Sequence, residues 1–215
     1  MRVAIFGATG IAGRAVVEEA LKKGYEVTVL TRNASHVHLN NPKLNVIVGN
    51  ITDRTIIARV LHGQDAVIQT LGIGGKGDGK PTTFVSEMNN HIMDEMKNSG
   101  IKRLIAISVI GAGESWNSLP WVYRKMVLPI FQKWFVPIIA DKNRMEATIE
   151  KSGLEWTVVR STTLTDASGQ GTCVVSLNGK GIRKFSIPAA DVAKFMVEQL
   201  TETKYIHKCP IITGL

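Results

Sequence analysis

Three glycines spaced three residues apart, Gly7, Gly10 and Gly13, stand between an apolar run and a helical pattern in "RVAIFGATGIAGRAVVEEALKKG". That placement suits the anion of a dinucleotide. Gly7 turns the chain off the strand, Gly10 lacks a Cβ and admits a pyrophosphate to the backbone, and Gly13 lets the helix pack close to the sheet. Free N–H groups at the helix start then face the anion. The same spacing can serve a tight strand-to-helix turn that holds no ligand. Its position between this strand and this helix favours the ligand.

The adenosine end is read at the close of the second strand. An acidic residue there accepts hydrogen bonds from free ribose hydroxyls and repels a 2′-phosphate. This chain has Thr31, Arg32 and Asn33 instead. A guanidinium at Arg32 can hold a phosphate through two parallel hydrogen bonds, so NADP(H) is expected ahead of NAD(H). Asn50 and Ile51 follow the third strand, where one can bond adenine and the other pack on it. Leu71 and Gly72 open a glycine-rich stretch, "LGIGGKGDGKPTT", placed to pass the cofactor's middle, with Lys76 and Lys80 as cations or plain surface residues. His36 and His38 read as ordinary loop residues; their spacing could suit a metal, but no third ligand accompanies them.

Hydride chemistry belongs beyond the C-terminal ends of strands four to six. Ser108 ends strand five, Lys142 opens the helix before strand six, and Thr162 and Thr163 follow strand six. Conventional short-chain dehydrogenases use a Tyr-x-x-x-Lys pair, in which the lysine lowers the tyrosine's pKa. Tyr123 is followed at that spacing by Val127, so it is the weaker of the catalytic candidates Ser108, Lys142 and Tyr123. Lys142 has a structural alternative, an i,i+4 pair with Glu146. Trp134 and Phe135 lie in an apolar stretch that could wall a flat substrate, fill a core or face a second copy.

The elements that position these residues alternate. "RVAIF", "YEVTVL", "LNVIVG", "AVIQTLG", "RLIAISV" and "WTVVR" read as strands, with helices over Ile11–Lys23, near Asp53–Leu61, and through "TTFVSEMNNHIMDEMKNSG". Asp53 is expected as a helix cap. Pro129 and Pro137 are expected to bend or end helices, and Asp141–Lys151 to form a solvated one. "TCVVSLNGKG" reads as strand and turn, and "PAADVAKFMVEQL" as an amphipathic helix. The fold class is α/β: a Rossmann-like parallel sheet with helices on both faces, as a single domain over residues 1–215.

Composition agrees. The 215 residues are 44% hydrophobic and 20% charged, enough for one core. No apolar run approaches the roughly 18 residues of a membrane span, no signal peptide opens the chain, and two cysteines fit reduced thiols, so a cytoplasmic location is expected. The net charge of +8 comes from scattered residues with few aromatics. It argues for anionic small molecules over nucleic acid.

"IFGATGIAGRAVVEEALKKGYEVTVLTRN", "HGQDAVIQTLG" and "DKNRMEATIEKSGLEWTVVR" resemble the atypical short-chain dehydrogenases with an NmrA-like NAD(P)-binding domain, and among them the flavin reductases. The resemblance covers nearly the whole chain. It implies an NADPH-dependent reductase of flavins, tetrapyrroles or quinones, with phosphate at Thr9, Gly10 and Ile11, 2′-phosphate at Arg32, and Ser108 and Thr162 around the nicotinamide. The chain departs from those reductases at Val109, Lys142, Thr162 and His36, which touches the substrate end more than the cofactor end. The expected partner is a planar acceptor such as a flavin or quinone, without nucleic acid or membrane, in a monomer or homodimer. The second reading is an NADP(H)-binding redox sensor or regulatory protein with little turnover.

Overall fold

The computed structural model describes residues 1–73, 79–118 and 128–215, with 118 and 128–134 as backbone alone. Eight strands form one sheet in the order β3-β2-β1-β4-β5-β6-β10-β8. They are β1 (Arg2–Phe6), β2 (Glu26–Thr31), β3 (Leu44–Val48), β4 (Ala66–Gln69), β5 (Arg103–Val109), β6 (Glu155–Ser161), β8 (Val174–Ser176) and β10 (Ile211–Thr213). β10 continues the parallel sheet beside β6, and β8 closes it antiparallel. β7 (Thr163–Thr165) and β9 (Ser186–Pro188) form a separate parallel pair just past β6.

The near-continuous apolar runs of β1, β4 and β5 follow from burial on both faces. On one face, α1 (Ile11–Lys22) and α5 (Ala189–Glu198) pack Val16, Val17, Val192 and Met196 against Ile5, Ile68 and Ile105. On the other, α2 (Arg54–Leu61), α3 (Phe84–Asn98) and α4 (Leu128–Glu150) bring Ile57, Ile92, Met96 and Met145 onto Phe6, Val67 and Leu104. Asp53 caps α2, its Oδ1 accepting from Thr55 N at 2.9 Å. Strand order reverses direction between β1 and β4, so their C-terminal ends open the crevice in which such sheets bind ligands.

The expected end at Pro137 and the expected solvated helix are both corrected here. The helix before β6 is described over Leu128–Glu150, and Pro137 lies inside it without ending it. Pro129 falls in the first described turn of that helix. Pro137 forfeits one internal bond, and packing of the following turns holds the helix together. Nor are those turns solvated: Asp141, Lys142, Met145, Glu146 and Ile149 are all buried. Charged side chains on that stretch conceal an inward face because they are satisfied inside the protein. The strand β10 between β6 and β8 has no counterpart in the sequence reading, since three residues carry too little periodicity to read.

Candidate functional site

The glycine turn is built by close approach. Gly7 has φ +87°, and a Cβ on it would fall 2.7 Å from the carbonyl carbon of Thr70. A Cβ on Gly13 would lie 2.0 Å from Gly7 O and 2.8 Å from Thr70 Oγ1. Thr70 fastens the end of β4 to the end of β1: its N–H and its hydroxyl both donate to Phe6 O, at 2.8 and 2.9 Å. Sequence reasoning passed over Thr70, whose signal is a small hydroxyl residue where an apolar strand stops. Gly10 differs from its neighbours, because a Cβ there would meet only Gly7 O, at 3.4 Å. It begins α1 with no side-chain cap, leaving the first-turn N–H groups directed at the crevice. Thr9 is exposed and Ile11 half-buried at this lip.

At the end of β2, the Thr31 hydroxyl donates to Asn33 O at 2.9 Å, and Asn33 Oδ1 accepts from Ser35 N at 2.9 Å. These bonds fix a turn on which Arg32 is exposed, with no hydrogen bond or ion pair to the described residues. Asn50 is exposed past β3, its Oδ1 accepting from Thr52 N at 3.1 Å, and Ile51 is half-buried against the core. His36 and His38 are exposed, and no metal-binding cluster occurs among the described residues.

The other end of the crevice gathers Ser108 and Lys142. Lys142 is buried, and its ammonium donates to Leu71 O at 3.0 Å and Ile107 O at 2.8 Å, bracing the ends of β4 and β5. Burial pushes its pKa down to about 8 against the opposing pull of Asp141 and Glu146. The alternative reading of Lys142, an i,i+4 pair with Glu146, is not what the structure shows. Glu146 instead accepts from Arg160, 2.7 Å from Nη2 to Oε2, in an ion pair sealed from solvent. Position i+4 was right for contact, but the carboxylate found a planar fork on β6 that matches it better. Asp141 caps α3 from outside that helix, accepting from Val85 N at 2.9 Å and from Ser86 N and Oγ at 3.2 and 2.5 Å.

Ser108 is 1% exposed, and its hydroxyl has no hydrogen-bond partner among the described residues. It is paired in register with Arg160 on β6. Thr162 is buried and its hydroxyl donates to Thr213 Oγ1 at 3.3 Å, while Thr163 is exposed. Leu71 is buried and Gly72 exposed. Beyond them a recess of about 20 Å³ is lined by Gly72, Ile73, Thr82, Val85, Ile138, Asp141 and Lys142. Tyr123 and Lys76 lie outside the described residues, as does the side chain of Trp134.

The arrangement of glycine turn, uncapped helix and strand ends is matched by a family model described as NAD(P)H-binding, over residues 7–203. The chain belongs to that family. An uncharacterized relative, YwnB of Bacillus subtilis, is 25% identical over 213 residues, covering 95% of this chain and 94% of that protein. In this NAD(P)H-binding family the sheet is shared with solved structures at lower identity. The anaerobillin reductase ChuY of Escherichia coli O157:H7 superposes with a TM-score of 0.79 at 20% identity, covering 100% of this chain and 97% of that one. A short-chain dehydrogenase/reductase of Veillonella parvula, in complex with NADP, gives 0.78 at 15%, covering 100% and 94%. The residues present fit a dinucleotide: Gly7 and Gly13 tolerate no side chain, Gly10 leaves its face open, and the first turn of α1 lacks a cap.

Proposed function

We propose that this protein is an NADPH-dependent reductase that passes hydride to a planar acceptor, a flavin or a quinone. The observation that carries the reading is the orphaned hydroxyl of Ser108 beside the braced Lys142, at the strand ends where the nicotinamide half of a dinucleotide belongs. A buried hydroxyl without a partner costs about 1–3 kcal/mol unless something bonds it. A carboxamide would supply that bond.

The bound cofactor supplies the hydride; the chain supplies position. Gly7, Thr9, Gly10, Ile11 and Gly13 would cradle the pyrophosphate, and Arg32 the 2′-phosphate. Asn50 and Ile51 would flank the adenine, with Leu71 and Gly72 along the middle. Ser108 and Thr162 would line the nicotinamide. Lys142 fixes the floor, since two of its three N–H bonds are spent on backbone carbonyls. Ile73, Val85 and Ile138 add apolar surface beside Lys142 at that end. Among the described residues no tyrosine stands here: Tyr25 and Tyr205 line a groove along α5 and the α1–β2 turn. An acceptor that takes its proton from water suits such a site. ChuY, an anaerobillin reductase with the same fold, is in keeping with this reading.

The test is NADPH oxidation by the purified protein with FMN, riboflavin and a small quinone in turn, and NADH in parallel. Saturable turnover favouring NADPH is expected. Tight NADPH binding with no turnover on the whole panel would overturn the reductase reading in favour of a sensor.

A further inference from the structure

The turn joining β8 to β9 carries three cations, Lys180, Arg183 and Lys184, all exposed and none ion-paired among the described residues. Its backbone is tied to the substrate end of the crevice. Thr163 N donates to Phe185 O at 3.0 Å. Thr213 Oγ1 donates to Lys184 O at 2.5 Å and accepts from Thr162, so one chain of hydroxyls links Thr162 to the cationic turn. Leu177 is exposed and Ile182 half-buried in the same turn, which sets apolar surface among the charges.

These cations are too remote to serve the cofactor's own phosphates. Arg32 follows β2, four strands from β6 in the sheet, or roughly 19 Å at the usual strand spacing; the glycine turn follows β1, three strands away, or roughly 14 Å. Oxidation leaves a positive nicotinamide ring, which neighbouring cations disfavour. Unpaired positive charge at this end therefore calls for an anion that arrives with the other substrate.

We propose that the β8–β9 turn is an anion subsite for the acceptor, with Lys180, Arg183 and Lys184 holding a phosphate or carboxylate carried on the planar ring. This deepens the reductase reading and rests on it. The backbone bonds from Thr163 and Thr213 to the turn set these cations next to the end of β6, where they would act on the acceptor's substituent.

The experiment compares acceptors that share a ring. FMN and riboflavin differ only in the phosphate; a bilin diacid and its dimethyl ester share the tetrapyrrole and differ in the charge of the two carboxyl groups, each of which the ester caps with a methyl. Binding of each is titrated to the NADP⁺-saturated protein, wild type and the K180A/R183A/K184A variant, at low and high salt. FMN is expected to bind at least about tenfold tighter than riboflavin at low salt, with the margin shrinking as salt rises. The triple variant should bind FMN as weakly as riboflavin, with riboflavin and NADPH affinities unchanged. A parallel preference for the diacid over the ester would extend the subsite to carboxylates; a preference for FMN alone would restrict it to phosphate. Equal binding of FMN and riboflavin, a preference that survives the triple variant, or no binding of either flavin would each overturn the subsite. Binding does not require turnover. Loss of the reductase reading would appear instead as bound NADPH that no acceptor oxidises.

Discussion

Gly13→Ala separates the architecture of the nucleotide turn from its ligand. The added Cβ would lie 2.0 Å from the carbonyl oxygen of Gly7, roughly 1.4 Å inside ordinary contact. The obstacle is backbone, held in turn by Thr70, so no flexible side chain can swing aside. Overpacking of this kind costs about 1–3 kcal/mol, and the upper end applies here. Alanine returns about 1 kcal/mol of helix propensity. The net loss is about 2 kcal/mol, which lowers Tm by about 4–8 °C in a domain of this size. Gly10→Ala is the comparator. Its Cβ meets only Gly7 O at 3.4 Å, and its backbone is extended at φ −75° and ψ 168°. It should cost under about 1 kcal/mol as a lost cap preference while weakening NADPH binding by blocking the approach to the backbone. Thermal denaturation of both variants without cofactor, followed by NADPH titration, reads the two effects apart. A Gly13→Ala protein that melts with the wild type would refute the packing argument.

Arg32→Ala should weaken NADPH roughly tenfold and leave NADH almost unchanged, since a charge-assisted phosphate contact is lost; equal losses in titrations of both would remove Arg32 from the 2′-phosphate. Lys142 has a folded pKa of about 8 against 10.5 for the free side chain, so between these values the unfolded chain binds more protons and stability rises with pH. Chemical denaturation at pH 7.5 and pH 10.5 should therefore show wild type gaining about 3 kcal/mol relative to Lys142→Met, at about 1.4 kcal/mol per pKa unit. Glu146→Ala strands the buried Arg160 guanidinium and should cost about 3–5 kcal/mol by urea unfolding. Burial pushes the Cys173 and Cys209 thiols up to about 11 and about 12. Alkylation near neutral pH should spare both in the native protein and proceed quickly once it is unfolded.

The parallel sheet was legible because its strands are buried on both faces and read as unbroken apolar runs. The nucleotide turn was legible because glycine has no substitute where Cβ space is absent. Reading failed where tertiary partners decided the outcome. Glu146 at i+4 left a pair with Lys142 as one of two even readings, and the deciding residue, Arg160, arrives from a strand. Asp141 and Lys142 suggested a wet helix face, although a foreign helix N-terminus and two strand-end carbonyls satisfy them inside. Thr70 carries no motif; its importance comes from lying beside Gly7 and Gly13 after folding.

The most direct test of hydride transfer is a single turnover, without oxygen, using NADPH deuterated at the transferable C4 position and an FMN acceptor. The reductase account predicts acceptor reduction at the rate of NADPH loss, slowed by the deuterium. Stoichiometrically bound NADPH that stays reduced beside FMN and quinone alike would contradict it.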